Sequence, residues 1–304
     1  MLEKLLTEQA NPASAGIDTL PTEAALRVIN VEDQKVAAAV QREIPAIARA
    51  VDAIVAALEK GGRLFYIGAG TSGRLGVLDA SEIPPTYSAP PEMVQGIMAG
   101  GEAALSRATE TTEDDPAIGV RDLLGRGFTA RDILLGLAAS GRTPYVLGAI
   151  AEAKRMRATT IGICCTEDSE LSRAVDIAIA PLVGPEIIAG STRMKAGTAQ
   201  KLVLNMISTT TFIRLGYVYS NLMVNVQPKN HKLVERARRI IAQSADVSYD
   251  RAAELLEAGG RSVRTAIVMG RAGVDREEAE RRLAAGGGRI AQALAWGGPP
   301  GLPG

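Results

Sequence analysis

Residues 63–73, Arg-Leu-Phe-Tyr-Ile-Gly-Ala-Gly-Thr-Ser-Gly, decide the fold class of this 304-residue chain. An apolar run of β-forming residues is followed at once by a glycine-rich turn, and the turn leads into a helix-like segment at 73–80. A strand, a tight glycine turn and a helix form the first half of a βαβ unit. The stretch therefore predicts the beginning of a parallel sheet.

The same alternation of apolar runs and helix-like segments continues along the chain. Strands are predicted at 63–67, 93–98, 133–137, 159–163 and 176–180, and helices between them include 73–80, 117–124 and 143–156. Strands that alternate with helices indicate an α/β protein with a doubly wound parallel sheet, here five-stranded, covered on both faces. If the strand order is flavodoxin-like, the first and third strands are neighbours at the switch point where ligands bind.

Predicted helices flank the sheet region on both sides. Before it, Asp33 is expected to cap one long amphipathic helix that ends at Gly61, and after it residues 195–215 are expected to form a buried helix, apolar on more than one side. Such a helix suits a core or a subunit interface. After Pro228 the predicted helices are 231–244, 248–258, 261–271 and 275–285, the last opened by an Asp275/Glu278 capping box.

These segments predict a two-domain organisation. The first domain covers 1–230, including an N-terminal helical segment, and the second is a small helical bundle at 231–296. The remaining residues, 297–304, are nearly all Gly and Pro, and we expect them to form a disordered tail.

Composition excludes several classes of protein. The 34 basic residues equal the 34 acidic residues, so net charge gives no attraction to nucleic acid or to an anionic membrane. No run reaches the roughly 18 apolar residues of a membrane span. One histidine and two adjacent cysteines, Cys164 and Cys165, cannot assemble a His/Cys metal site or a disulfide framework. A metal site made only of carboxylates stays open, but the features together predict a soluble, cytoplasmic protein without a bound metal.

The turn at 68–73 satisfies the dinucleotide pattern G-x-G-x-x-G, but a Rossmann site also needs an acidic residue where the next strand ends. That strand ends Met-Ala-Gly-Gly, at 98–101, with no acidic residue. The sequence therefore argues against a dinucleotide site. A second turn of small and hydroxyl residues, 138–144, follows the third strand, and hydroxyls with backbone N–H groups at helix starts can cradle a phosphate. We therefore predict a sugar-phosphate site.

A third polar segment, 184–195, precedes the buried helix, and two interpretations of it stay open. Ser191 and Thr192 stand where a helix N-cap is expected. Arg193 and Lys195, together with the hydroxyls, also suit an anionic ligand. The predicted phosphosugar ligands of all three segments are Thr71, Ser72, Ser140, Thr143 and Ser191.

Three longer strings, at 68–87, 139–145 and 190–205, resemble those of the N-acetylmuramic acid 6-phosphate etherase family. Shorter matches at 7–14 and 221–225 extend the resemblance over nearly the whole chain. The resemblance implies a sugar isomerase fold, a C-terminal bundle of the ubiquitin-associated type, a homodimer, and no metal or organic cofactor. It also implies cleavage of the D-lactyl ether of N-acetylmuramic acid 6-phosphate, giving N-acetylglucosamine 6-phosphate and D-lactate, in the recycling of bacterial cell wall.

The resemblance assigns the catalytic pair to Glu82, as proton donor to lactate, and Glu113, as the base at C2. From the residues alone, Glu82 lies before Pro84-Pro85, which we expect to end its helix and to hold its side chain near the pocket in apolar surroundings. Glu113 belongs to an acidic run, and such runs are usually solvated faces. Which carboxylate is the acid and which the base stays open.

Two other functions would use the same pocket. A phosphosugar-sensing regulatory protein would keep the phosphate loops without needing both glutamates. An aldose–ketose isomerase would remove the same C2 proton but leave the C3 substituent intact. The single histidine, His231, is predicted to lie at the surface.

Overall fold

The computed structural model describes residues 7–107 and 112–296, and it contains the predicted parallel sheet. Its strands are β1 (Leu64–Gly68), β2 (Val94–Met98), β3 (Ile133–Leu137), β4 (Thr159–Ile163) and β5 (Ile177–Ile179). The order is β2-β1-β3-β4-β5, and every neighbouring pair is parallel. The predicted pairing of the first and third strands is confirmed, with Gly68 opposite Leu137 at their carboxyl ends.

Helices follow the strands, as a doubly wound sheet requires. In the sheet region they are α3 (Gly70–Tyr87), α4 (Ala103–Ser106), α5 (Pro116–Gly125), α6 (Pro144–Arg155), α7 (Glu170–Ala174) and α8 (Lys195–Arg214). Phe65 and Leu134 of the sheet pack with Val146 and Ile150 of α6 in one buried cluster. Each such side chain contributes about 1.5–3 kcal/mol of burial free energy, so this cluster fixes α6 on the sheet.

The single long helix predicted from Asp33 to Gly61 is wrong. Two helices occupy the region, α1 (Thr22–Arg42) and α2 (Ile44–Glu59), and α1 begins well before Asp33. Pro45 accounts for the break, because it has no N–H to continue the hydrogen-bond ladder of α1. It instead occupies the first turn of α2, where that N–H is not needed.

The prolines of α3 do not end the helix as predicted. The helix continues through Pro84 and Pro85 to Tyr87, because the φ angle of proline is compatible with a helix even though its missing N–H is not replaced. It ends at Ser88, which has φ +52° and donates its N–H to the Pro84 carbonyl at 2.9 Å. The side chain of Glu82 is exposed, so the described residues do not give it the apolar surroundings that were predicted.

The chain divides into two compact units. Of the described residues, the first comprises 7–83, 90–107 and 112–209, and it holds the whole five-stranded sheet. The second comprises the described residues 84–89 and 210–296, so it begins before the predicted boundary at 230. The bundle's ubiquitin-associated character stays a prediction, and the tail predicted at 297–304 lies outside the described residues.

The described part of the second unit is helical apart from one short hairpin that the sequence analysis missed. The hairpin pairs β6 (Val218–Tyr219) with β7 (Leu222–Met223), and the helices are α9 (His231–Ala245), α10 (Tyr249–Ala258), α11 (Val263–Ala272), α12 (Arg276–Ala285) and α13 (Ile290–Ala295). The last helix was not predicted. Asp275 caps α12 as expected, accepting the Glu278 N–H at 2.9 Å, and His231 is exposed as expected. No helix in the described residues is long and apolar enough to cross a membrane.

Candidate functional site

The first hydroxyl loop joins β1 to α3 by an unusually close turn. A Cβ on Gly73 would lie 2.6 Å from the Gly68 carbonyl oxygen, a separation that excludes any larger residue. Thr71 is half-buried, and its side chain has no hydrogen-bond partner among the described residues. Ser72 is buried, and its Oγ donates to Oε1 of Gln200 at 2.9 Å. The loop therefore offers one free hydroxyl and one that is already paired.

The second hydroxyl loop joins β3 to α6. Ser140 is half-buried, and its Oγ accepts the Arg142 N–H at 3.3 Å. Gly141 has φ +67°, a conformation that favours glycine. Thr143 directly precedes α6, but its side chain does not cap the helix. Because β1 and β3 are neighbours, this loop and the first one lie at the same carboxyl edge of the sheet.

The third polar segment leads into α8, which begins against the first loop. A Cβ on Gly197 would lie 3.4 Å from Cγ2 of Thr71. Cys165 connects the second loop to the same helix start, since its N–H donates to the Ala139 carbonyl at 2.8 Å and its Sγ lies 3.8 Å from the Ala196 carbonyl oxygen. The hydroxyl-bearing segments therefore meet at one edge of the sheet, where Ser191 is half-buried.

The start of α8 is capped by Glu186, not by Ser191 or Thr192. The carboxylate of Glu186 is buried and accepts the N–H groups of Lys195 and Ala196, each at 2.9 Å. A carboxylate is favourable there because the helix N-terminus carries partial positive charge. The capping role predicted for the two hydroxyl residues is therefore wrong, and the hydroxyl of Ser191 has no partner among the described residues.

Lys195 does not face the predicted anion site. Its side chain is 1% exposed, and its Nζ donates to Oε2 of Glu32 at 2.7 Å. Burial alone would raise the pKa of Glu32, but hydrogen bonds from Lys195, Lys35 and Asn11 outweigh it and lower that pKa to about 2. The cation left exposed at this helix start is Arg193.

The N-terminal segment fixes the third polar segment in place. Nδ2 of Asn11 donates to Glu32 and to the Pro185 carbonyl, each at 3.0 Å. Oγ of Ser14 donates to the Ile187 carbonyl at 2.7 Å. Asn11 and Ser14 lie in the short match at 7–14, but the sequence predicted no role for them. They are more than 170 positions from the segment they contact, and no sequence pattern indicates such a contact.

Glu113 lies beside the second loop. Its main-chain carbonyl accepts the Tyr145 N–H at 3.0 Å, in the first turn of α6, and its side chain is half-buried. The approach of α5 to α6 is close here, because a Cβ on Gly119 would lie 1.9 Å from the Tyr145 carbonyl oxygen. This predicted catalytic residue therefore lies at the edge of the sheet where the hydroxyl loops meet.

Glu82 lies away from that edge. The helix α3 runs back along β1, as shown by the 2.9 Å hydrogen bond from the Tyr66 hydroxyl to Asp79. Glu82 follows Thr71 by eleven helical residues, which corresponds to about 16 Å along the axis. Within one chain, the structure does not bring Glu82 to the hydroxyl loops.

A polar cluster between α3 and α8 was not found from the sequence. Asp79 accepts hydrogen bonds from Tyr66 at 2.9 Å and from Ser208 at 3.0 Å. Burial raises the pKa of Asp79, although both hydrogen bonds act in the opposite direction. The cluster ties the two helices together below the first loop.

A separate cavity of about 880 Å³ borders β2 and α5. Its lining includes Gly96, Gly101, Arg121 and Thr112, the last adjacent to Glu113 in sequence, but none of the predicted site residues. Among the described residues, no group of three or more His, Cys, Asp or Glu side chains could hold a metal ion.

Comparison with known proteins gives two family matches and many full-length relatives. Residues 127–209 match the family described as SIS domain, and residues 46–154 match the glucokinase regulatory protein N-terminal SIS domain. A protein of Aeromonas hydrophila named N-acetylmuramic acid 6-phosphate etherase is 55% identical over 96% of this chain and 98% of its own. Proteins of the same name from Photorhabdus laumondii and Caldanaerobacter subterraneus are 53% and 51% identical, over 93% and 96% of this chain and 94% and 96% of theirs.

Solved structures also resemble this chain, but at lower sequence identity. A phosphoheptose isomerase from Neisseria gonorrhoeae superposes with a TM-score of 0.49 at 13% identity, covering 63% of this chain and 98% of its own. A phosphoheptose isomerase from Francisella tularensis gives a TM-score of 0.46 at 21% identity, covering 61% of this chain and 98% of its own.

Proposed function

The chain belongs to the family of N-acetylmuramic acid 6-phosphate etherases, and we propose that it cleaves the D-lactyl ether of that sugar, releasing D-lactate and N-acetylglucosamine 6-phosphate. The near full-length identity to etherases carries the proposal. The meeting of the hydroxyl-bearing segments at the carboxyl edge of the sheet supports it, because hydroxyls and helix-start N–H groups can hold the phosphate.

The proposed reaction is an elimination followed by a hydration. The sugar ring opens to its aldehyde, which acidifies the proton at C2. Glu113 removes that proton, the C3–oxygen bond breaks, and Glu82 donates a proton to the departing lactate. Water then adds across the C2–C3 double bond, with its hydroxyl on C3 and a proton on C2, so the net reaction consumes one water. Both steps need a positioned acid and base.

We propose that Thr71, Ser72, Ser140, Thr143 and Ser191 bind the phosphosugar. The side-chain hydroxyls of Thr71, Thr143 and Ser191 have no partner among the described residues, so each can donate to a phosphate or sugar oxygen without losing another bond. Arg193, which is exposed beside Ser191, adds a positive charge for the phosphate.

The position of Glu82 supports a homodimer in which this residue acts in the site of the partner subunit. Glu82 is exposed, and Leu78, one turn earlier on the same face of α3, is 49% exposed. A second subunit on this face would bury Leu78 and would bring Glu82 to a catalytic pocket that its own chain does not reach.

Mixing two inactive variants tests that arrangement. Glu82→Gln and Glu113→Gln should each abolish lactate release while keeping affinity for the phosphosugar. If one site uses Glu82 and Glu113 from different subunits, a dimer of the two variants contains one intact site, and about a quarter of wild-type activity should return after random exchange of subunits. If both residues act within one subunit, the mixture stays inactive.

The activity itself is tested by D-lactate release from N-acetylmuramic acid 6-phosphate in ¹⁸O-labelled water, with a chelator present. Lactate together with a sugar product carrying the label on C3 is the result expected for elimination and hydration without a required metal. A product without label on C3 would contradict hydration there. Saturable binding without lactate would favour a regulatory protein, and an isomerised sugar that keeps its lactyl group would favour an isomerase. We expect the enzyme to act in the cytoplasm.

A further inference from the structure

Gln200, in the second turn of α8, has an unusual hydrogen-bonding state. Its side chain is fully buried, and its Oε1 accepts from Oγ of Ser72 at 2.9 Å. Its Nε2 is also buried, and within the described chain this atom has no hydrogen-bond partner. Leaving an amide donor buried and unpaired costs free energy, so such a group needs an explanation.

Packing does not explain the amide. A methionine of similar length would fill the same space without an unpaired donor, and it would leave only the Ser72 hydroxyl to be satisfied. The second α8-to-α3 side-chain bond, from Ser208 to Asp79, already connects the helices further along. The side-chain contact that remains to account for the amide is the one with Ser72.

The hydroxyl of Ser72 has one proton, and the hydrogen bond described above directs that proton towards Oε1 of Gln200. A phosphate dianion offers acceptors and no donor, so Ser72 cannot bind it while its proton is held by Oε1. Rotating the amide by half a turn exchanges Oε1 and Nε2 without changing the shape of the side chain. Nε2 then donates to Oγ of Ser72, and the serine proton becomes available to a phosphate oxygen.

We infer that Gln200 is a positioning residue for phosphosugar binding, and that its amide reverses when the phosphate arrives so that Ser72 can donate to it. The inference rests on the proposed function, since it requires the phosphate at the first loop. The resulting chain runs from the Gln200 N–H to the Ser72 oxygen, and from the Ser72 O–H to the phosphate. Each donor in such a chain strengthens the next, and a phosphate oxygen accepts a charge-assisted bond.

The test measures binding of N-acetylglucosamine 6-phosphate and of inorganic phosphate by calorimetry, with kcat and KM for the etherase substrate as a second readout. Ser72→Ala should weaken both ligands about tenfold, the effect of losing one hydrogen bond to a charged group. Gln200→Met should weaken them several-fold and raise KM more than it lowers kcat. Gln200→Glu should weaken them more than Gln200→Met, because a carboxylate only accepts and adds negative charge near the phosphate.

A double variant and a matched control separate positioning from stability. In the Ser72→Ala background, Gln200→Met should have no further effect on phosphate affinity. Ser208→Ala, which removes the other α8-to-α3 bond, should leave phosphate affinity unchanged even if it lowers the melting temperature. If Gln200→Met fails to fold, the comparison of Gln200→Glu with wild type carries the test.

The outcomes also separate the inference from the proposed function. Weakened binding in Ser72→Ala with wild-type affinity in both Gln200 variants overturns the inference alone. Unchanged affinity in Ser72→Ala would show that the phosphate does not bind at the first loop. That result would overturn the inference as well. No binding of N-acetylglucosamine 6-phosphate by wild type contradicts the proposed function.

Discussion

The buried ion pair between Glu32 and Lys195 gives the most quantitative prediction. The two side chains are 3% and 1% exposed, and Oε2 and Nζ are 2.7 Å apart. The pKa of Glu32 is lowered from 4.5 to about 2. At about 1.36 kcal/mol per pKa unit, the difference corresponds to about 3 kcal/mol of stability at neutral pH. Glu32→Gln should therefore lower the free energy of unfolding by about 3 kcal/mol, within the range measured for broken buried pairs.

The effect should depend on pH in one direction. A carboxyl whose pKa is lower in the folded state stabilises the fold above its unfolded pKa, near 4.5, and loses that contribution as the pH falls towards 2. The gap between wild type and Glu32→Gln should therefore be full at pH 7 and close between pH 4.5 and pH 2. Urea unfolding followed by far-ultraviolet circular dichroism at several pH values measures it.

Two further variants control the interpretation. Glu23→Gln removes the exposed pair with Arg27 on the same helix α1, where both side chains are more than three-quarters exposed, and it should change stability little. Glu32→Leu combined with Lys195→Met should recover most of the loss, because both buried charges are removed together. A Glu32→Gln variant within about 0.5 kcal/mol of wild type at pH 7, or a gap that persists at pH 2, would refute the reasoning.

Three further predictions concern the elements around the site. Glu186→Ala should cost about 1–2 kcal/mol, since two N–H groups of α8 lose their cap, and should weaken phosphosugar binding; thermal unfolding and calorimetry check this, and an unchanged melting temperature contradicts it. Gly141→Ala should lower the melting temperature more than Gly184→Ala. Both glycines have positive φ, but a Cβ on Gly141 would lie 2.3 Å from Oγ of Ser169, whereas Gly184 has open space. Equal losses of melting temperature would show that the second loop can shift to accommodate the added Cβ. Cys164 and Cys165 should resist iodoacetamide at pH 8 until the protein is unfolded, since burial raises the pKa of both thiols; mass spectrometry measures the labelling, and rapid reaction of the native protein would contradict the burial.

The sheet was predictable because its signals are local. Each strand is a short β-forming run bounded by turn residues, and all five lie within a residue or two of the predicted positions. The order of β1 and β3 followed from the general rule for doubly wound sheets. The helix boundaries were less predictable: the start of α1 was missed because the first half of this helix is largely exposed, with Leu26 59% exposed, and so lacks a clear apolar stripe.

The candidate site was predictable only in part. The hydroxyl loops follow strand ends, so their meeting at one edge could be inferred from strand order. The position of Glu82 could not, because it depends on α3 continuing through two prolines and on the direction in which that helix runs. The pairing of Ser72 with Gln200 joins residues 128 positions apart, and no pattern in either segment indicates it.

The sequence by itself determined the alternation of strands and helices, the hydroxyl-rich turns and, through its similarity to relatives, the family. Tertiary structure decided which charges are free at the site. Lys195 and Glu32 are 163 positions apart, and Asn11 and Pro185 are 174 apart, yet these contacts remove the lysine from the anion site and hold the segment that carries Ser191. The physical reason is that strand and turn preferences act between near neighbours in sequence, whereas a buried charge is stable only beside a partner that folding brings to it.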